Sequence, residues 1–254
     1  MITLVNKQVG MTPSMMMSSL FRKSPSLIKR KYSYYGKLDP MADGLMVVLW
    51  DEECKNLYYR ELEKTYEVEI ALGIKTDTGD LMGLVTVIQS LDPASLISGS
   101  DINLDSFLTR DTALVLEQLY PDYSYRKVKG KPLWWWAQRG LIDEVKGLIP
   151  KKIVKIEAPQ LLSTGTIDLS LLSTLAIKRI ALVEGEFRQS QISDCWRSLA
   201  AKEREVFKTV KFSVSVSSGT YIRGLADRLG GVVVNLKRTK VGPFSLTDPS
   251  VVEL

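Results

Sequence analysis

Tyr35-Gly36-Lys37-Leu38-Asp39-Pro40-Met41-Ala42-Asp43-Gly44-Leu45 is the stretch on which the reading of this chain turns. Pro40 locks its own φ and restrains Asp39 toward extended geometry. Gly36 and Gly44 admit backbone shapes that other residues resist. An apolar run, Leu45 to Leu49, follows at once and reads as a strand. Asp39 is therefore a candidate carboxylate held in a rigid turn at the lip of a sheet. An Asp-Pro pair by itself also suits an ordinary turn.

Composition narrows the chemistry around that carboxylate. The chain has no histidine, which removes Ser-His-Asp and Cys-His catalysis and histidine-based zinc sites. Acid-base work then falls to Asp, Glu, Tyr, Lys or water. The two cysteines, Cys54 and Cys195, are far apart and match neither a disulfide framework nor a metal spacing. The cytosol or nucleus is the expected compartment, with an organelle left open. No apolar run approaches a membrane span, and the N-terminus lacks a signal-peptide pattern. The 254 residues suit one large domain or two small ones, and the net charge of +5 is mildly favourable for a polyanionic partner.

Outward from the turn, residues 14 to 23 predict a helix, and Lys29-Arg30-Lys31-Tyr32 forms a basic cluster, either a solvated charge run or a phosphate contact. Thr65 to Leu72 alternates as a half-buried strand, with Tyr66, Val68, Ile70 and Leu72 on one face. Residues 76 to 80 predict a turn, 90 to 105 a surface connection, and 106 to 118 a helix. Tyr123 to Lys131 is basic with interleaved aromatics and precedes Trp134-Trp135-Trp136. Most of these tryptophans are expected in the core, with one exposed ring free to stack on a base. Residues 152 to 156 and 178 to 184 predict strands, and 192 to 206 a helix. Phe212, Val214 and Val216 share a strand face. Thr220 to Arg223 then opens a helix whose buried stripe is Ile222, Leu225, Ala226 and Leu229.

Three separated segments resemble one family, the TruB-type pseudouridine synthases. Gly36 to Gly44 resembles its G-x-L-D-P-x-A-x-G signature; Lys64-Thr65-Tyr66 with Leu72-Gly73 and Thr76 to Gly83 resembles its second block; Ser218-Gly219-Thr220-Tyr221-Ile222-Arg223 resembles its third. Weaker likenesses extend over Asn6 to Thr12, Tyr123 to Gly140 and Leu236-Lys237-Arg238. The resemblance implies an α+β fold, a pseudouridine synthase core with a long, mainly antiparallel sheet, flanking helices and a catalytic cleft across the sheet. It implies isomerisation of the T-arm uridine (position 55) of tRNA after the base is flipped out. No cofactor and no metal are implied, since the substrate supplies every atom of the product. The implied partner is the tRNA T-arm stem-loop, bound by a monomer with no membrane association.

By the same resemblance, Asp39 is the catalytic residue, as nucleophile at the sugar or as base toward the C2′ proton. Arg223 becomes its counter-charge; the residues alone equally suit a solvated helix arginine. Tyr66 matches the tyrosine that stacks on the flipped uracil, although its strand face also suits a core tyrosine. Tyr221 matches a second active-site tyrosine, Leu236 an apolar wall residue, and Lys64 a structural or phosphate-contacting group near the cleft. RNA contacts are expected from Lys7, Lys29, Arg30, Lys31, Tyr34, Arg126, Lys127, Lys129, Lys131, Lys237 and Arg238.

The sequence departs from the family pattern at three places: Tyr34 stands where a histidine is usual, Asp43 where threonine or serine is usual, and Gln8 where proline is usual. Asp43 is expected to perturb Asp39 if the two approach closely. Residues 157 to 208 read as an insertion within one catalytic domain spanning 1–254. The roughly fourteen residues after Lys240 are too few for the family's RNA-binding PUA domain. These departures motivate the alternative of a catalytically impaired RNA-binding chaperone for tRNA folding.

Overall fold

A computed structural model describes residues 1–89, 102–200 and 205–254. Its strands are β1 (Ile2–Lys7), β2 (Tyr32–Tyr34), β3 (Ala42–Trp50), β4 (Lys64–Leu72), β5 (Ile74–Thr76), β6 (Val85–Ile88), β7 (Leu114–Leu119), β8 (Lys127–Val128), β9 (Lys131–Pro132), β10 (Lys151–Ile156), β11 (Gln160–Asp168), β12 (Val206–Val216), β13 (Gly231–Val241), β14 (Phe244–Ser245) and β15 (Val252–Glu253). The helices are α1 (Pro13–Lys23), α2 (Tyr58–Glu61), α3 (Leu104–Leu108), α4 (Leu133–Gln138), α5 (Leu169–Ile180), α6 (Gln189–Ala200) and α7 (Ile222–Arg228). The fold is α+β, built on an 11-stranded sheet in the order β15-β1-β3-β13-β4-β12-β10-β7, with β2, β11 and β14 paired beside this path. Pairing is antiparallel except for β1 with β15 and β3 with β13.

The centre of the sheet is covered on both faces, which explains why β3 reads as an unbroken apolar run. Ala42, Met46, Val48 and Trp50 join one core with Met16, Met17 and Leu20 of α1 and with Tyr66, Val68, Phe212, Val214 and Leu236. The alternate residues Leu45, Val47 and Leu49 pack on the other side with Leu4 and Val241. Helix α1 starts where Thr12 caps it, its hydroxyl accepting from the Met15 amide at 3.2 Å.

The 157–208 segment supplies β11, α5 and α6. Leu169, Leu172, Ala176 and Ile180 of α5, with Ile192 and Trp196 of α6, seat on Met41, Ala71, Ile74, Met82, Val232 and Val234. The strand expected at 178–184 is corrected by this: Ile180 closes the helical stripe of α5, and the apolar run that looked strand-like is the helix end and the following turn. The helix expected at 106–118 is corrected as well. α3 stops at Leu108, and Leu114–Leu119 is an edge strand that pairs with β10 through its whole length. The helix placed at 192–206 begins earlier, at Gln189, and runs to Ala200; its expected tail at 201–204 and the 90–101 part of the expected connection lie outside the described residues. Among the described residues no helix is long and apolar enough to cross a membrane.

Gly44 lies where β3 is flanked by β1 and β13. Its φ is +104°, and a Cβ there would sit 2.3 Å from the Arg238 carbonyl oxygen. Gly44→Ala is expected to lower the unfolding free energy by about 3 kcal/mol. A thermal melt should then drop by several degrees; a midpoint within about one degree of wild type would contradict this packing account.

Candidate active site

The Asp39 turn is fixed by its backbone before any side chain acts. The Ala42 amide donates to the Asp39 carbonyl at 3.1 Å, and the Gly10 amide donates to the Pro40 carbonyl at 2.8 Å. β12 ends at Val216, a short turn follows, and α7 starts at Ile222, so Arg223 projects from the first turn of α7 toward the Asp39 carboxylate. Arg223 is 4% exposed, so it is not a solvated helix arginine. Its Nε donates to Asp39 Oδ2 at 2.7 Å, its Nη1 to the Thr78 carbonyl, and its Nη2 to the Tyr123 carbonyl at 3.1 Å. Asp80 Oδ2 lies 3.7 Å from the same Nε. All three guanidinium nitrogens are thus engaged, and the planar fork has no room to turn.

Burial would lower the Arg223 pKa, but Asp39 and then Asp80 outweigh it and hold the group above the usual arginine value. Burial pushes the Asp80 carboxyl up against the opposing pull of Arg223, with Asp39 adding to the rise. Asp80 is further held by the Thr78 hydroxyl at 2.8 Å and the Met82 amide at 2.9 Å, both donating to Oδ1. Asp39 itself keeps 31% of its side chain exposed.

Two concavities, each of about 260 Å³, open on either side of Asp39 and share Asp39, Tyr125 and Arg223. One is walled by Lys64, Tyr66, Tyr221, Ile222 and Leu236, which brings together all the expected active-site support residues. Tyr66 and Leu236 are nearly buried and present their edges to this cavity. Tyr221 packs edge-on against Tyr120 at 5.7 Å, and burial followed by the nearby Asp39 charge pushes its hydroxyl up to about 12. The other concavity is more apolar, with Met82, Tyr123, Trp134, Phe187 and Arg188 around it.

The expected RNA contacts divide sharply. Lys29, Lys31, Arg126, Lys127, Lys129 and Lys131 are exposed, the last four on or beside the β8–β9 hairpin that Tyr125 introduces. Lys37 covers the Tyr125 ring at 4.2 Å. Arg30 pairs with Asp51, its Nε 2.7 Å from the carboxylate, and both side chains stay partly exposed. Lys237 is half-buried on β13, in register with Asp43 on one side and Glu67 on the other. Tyr34 is half-buried against Tyr32, ring centroids 6.4 Å apart, and lines neither concavity.

Lys7 and Arg238 require correction as phosphate contacts, and Lys64 takes the structural of its two expected roles. Arg238 is 1% exposed and donates to the Leu45 and Gly36 carbonyls, both at 2.7 Å. Lys64 is buried and donates to the Leu62 carbonyl and to the Ser218 hydroxyl, the latter at 3.1 Å; burial, then the charge of Arg238, takes its ammonium down to about 8. Lys7 has no exposed surface, and its ammonium donates to the Gln8 and Met11 carbonyls at 3.0 and 2.8 Å. These three cations are buried and spend their donors on main-chain carbonyls and the Ser218 hydroxyl. Asp43 lines neither concavity; burial raises its pKa, opposed by Lys237, Lys7 and Arg179.

Sequence reasoning passed over Asp80, Thr78, Tyr123 and Arg188 as site residues. Asp80 and Thr78 sit in a segment read as a turn, where a buried carboxylate carries no periodicity signal. Tyr123 belongs to the aromatic-basic stretch, but its carbonyl rather than its ring meets Arg223. Leu133 enters the core, and of the three half-buried tryptophans Trp136 packs on that core with Val128 and Val145. Trp135 is flanked by Arg139 and Lys131 at 4.2 and 5.4 Å.

The sheet, its covering helices and the cleft define a pseudouridine synthase core. The solved structure described as a Cbf5-Nop10-Gar1 complex matches in fold, with a TM-score of 0.54 and 16% identity, over 100% of this chain and 52% of that one. The family model for the TruB family pseudouridylate synthase (N terminal domain) matches residues 25–176, and the chain belongs to that family. It is similar to tRNA pseudouridine synthase B of Psychrobacter arcticus, at 27% identity over 256 residues covering 97% of this chain and 54% of the relative. It is also similar to tRNA pseudouridine synthase B of Caldicellulosiruptor saccharolyticus, at 29% identity covering 96% of this chain and 68% of the relative. The chain spans about half the length of the first of these relatives.

The buried Lys7 yields a pH prediction. Burial takes its ammonium from 10.5 down to about 7, opposed by Asp39 and Asp43. Between those values the unfolded chain holds more protons at this site than the folded one, so the site makes stability rise with pH across that window and adds no slope below it. In Lys7→Met the contribution disappears. The unfolding free energy of wild type minus variant should grow by up to about 2 kcal/mol from about pH 7 to about pH 9. Urea denaturation at the two pH values checks this, and a constant difference would contradict it.

Proposed function

We propose that the protein isomerises uridine to pseudouridine in the T arm of tRNA, with Asp39 as the catalytic residue. The observation that carries this reading is the Asp39 carboxylate, partly open at the junction of two concavities and gripped by a buried, fully engaged Arg223. Membership of the TruB family and similarity to proteins named tRNA pseudouridine synthase B support the substrate class.

The reaction breaks the N1–C1′ bond, turns the base and joins C5 to C1′. C5 gives up its proton to solvent, N1 takes one up, and the atoms of the nucleoside are otherwise conserved. Attack by a carboxylate at C1′ and removal of the C2′ proton both require an ionised carboxylate beside the ribose. The Arg223 fork, with its Nε 2.7 Å from Asp39 Oδ2, fixes the direction of that carboxylate. The target base leaves the loop stack and enters the cavity beside Tyr66, where Leu236 and Ile222 supply apolar walls and the tyrosine ring a stacking surface. Tyr221 stays a neutral phenol at working pH, its hydroxyl being held near 12. The exposed cations of the β8–β9 hairpin, with Lys29 and Lys31, grip phosphates, and the shape of the T loop provides selection. A monomer carries out the whole reaction.

Release of tritium from 5-tritiated uridine in a T-arm stem-loop reads the reaction directly. Wild type should release it, and Asp39→Asn should lose about a thousandfold in turnover while RNA affinity changes by less than about threefold. Turnover that survives in Asp39→Asn would remove Asp39 from the chemistry. Tight binding and faster tRNA refolding by a wild-type protein that releases no tritium would instead identify an RNA chaperone.

A further inference from the structure

The loop joining α5 to α6 lies beyond the residues matched by the family model, yet it reaches the groups that hold Arg223. Gln189 stitches this loop together: its side chain accepts from the Phe187 amide at 2.8 Å and donates to the Val183 and Gly185 carbonyls at 3.1 and 2.6 Å. Gln138 of α4 ties the loop across the cleft by donating to the Glu186 carbonyl at 3.3 Å. Arg188 is held with φ at +61°, an uncommon state for a side-chain-bearing residue. From there its guanidinium makes two contacts. Its Nη1 lies 2.7 Å from Asp77 Oδ2, and its plane covers the Tyr123 ring at 4.3 Å.

Both contacts lie one step from Arg223. The other Asp77 oxygen accepts from the Leu84 amide at 2.9 Å, and the Asp77 amide donates to the Leu84 carbonyl at 3.0 Å, closing the 77–84 loop. That loop presents the Thr78 carbonyl and the Asp80 carboxylate to Arg223, and Tyr123 presents its own carbonyl. Arg188 therefore pins, from outside, both segments that lock the Arg223 fork onto Asp39. Its side chain is 18% exposed and that of Asp77 24%, so the pair is sheltered.

We propose that Arg188 is a positioning residue: by clamping Asp77 and Tyr123 it fixes the carbonyl seats of Arg223 and so the aim of the Asp39 carboxylate. The segment outside the family motifs is thereby built into the reacting geometry. This rests on Asp39 being the reacting carboxylate, and the experiment separates the two claims.

The test uses the full chain, with single-turnover tritium release from a tRNA transcript, RNA affinity, and hydrogen exchange at the Leu84 amide. Arg188→Ala should slow the saturated rate by about tenfold while changing RNA affinity by less than about twofold, and should speed exchange at Leu84. Arg188→Lys keeps the charge opposite Asp77 but not the flat stack on Tyr123. It should recover most of the exchange protection and part of the rate, and it serves if the alanine variant folds poorly. A large loss of affinity with the saturated rate intact would make Arg188 an RNA contact and overturn the proposal. Unchanged rate and unchanged Leu84 exchange would overturn it too. If wild type releases no tritium, the pseudouridine reading falls by itself, and the exchange comparison still decides whether Arg188 clamps the loop.

Discussion

The buried guanidinium of Arg223 is the constraint around which this structure is arranged. A charge at that depth is costly unless it is paired and its hydrogen bonds are filled. Here Asp39 and Asp80 supply the charge, and the Thr78 and Tyr123 carbonyls fill the remaining positions. Those four partners come from three separate parts of the chain, so a single side chain ties α7 to the Pro40 turn, the 77–84 loop and the aromatic-basic stretch. Removing it would take away the charge that opposes the burial and Asp39 effects on Asp80, and so push the Asp80 carboxyl further up.

The sheet makes this junction possible. Strands β3, β13, β4 and β12 lie side by side, so the ends of distant segments converge on one cleft. Covering both faces is what stiffens these strands. Helix α1 covers one face and the α5–α6 pair the other, so the segment outside the family motifs contributes core as well as a loop at the cleft. Lys7, Lys64 and Arg238 are buried cations close to the Asp39 turn, and their donors are met by main-chain carbonyls.

Much of this was legible in the sequence wherever one physical rule acted alone. Alternation placed Tyr66, Val68, Ile70 and Leu72 on one face of β4, and helical spacing placed Ile222, Leu225 and Ala226 under α7. The Asp39 turn was readable because proline and two glycines leave few conformations. Legibility failed where tertiary contacts decide. Lys7 and Arg238 look like surface cations because residue type does not reveal that a lysine or arginine ends on carbonyls inside a sheet. Residues 178–184 look like a strand because the end of an amphipathic helix and an apolar turn produce a similar short run. Leu114–Leu119 is a strand because β10 offers an edge, a fact no local pattern contains. Arg188 had no signal, since it acts through partners distant in the chain, and Asp80 lay in a stretch that resembles a family block without any local pattern giving it a role.

Arg223→Lys tests the central claim most directly. Lysine keeps the positive charge but cannot serve Asp39, the Thr78 carbonyl and the Tyr123 carbonyl from one rigid plane. Single-turnover conversion of uridine in a tRNA transcript, measured beside RNA affinity, separates charge from geometry. The rate should fall by about a hundredfold at nearly unchanged affinity. A variant that converts uridine at the wild-type rate would show that the fixed fork of Arg223 does not aim Asp39, and would contradict the account.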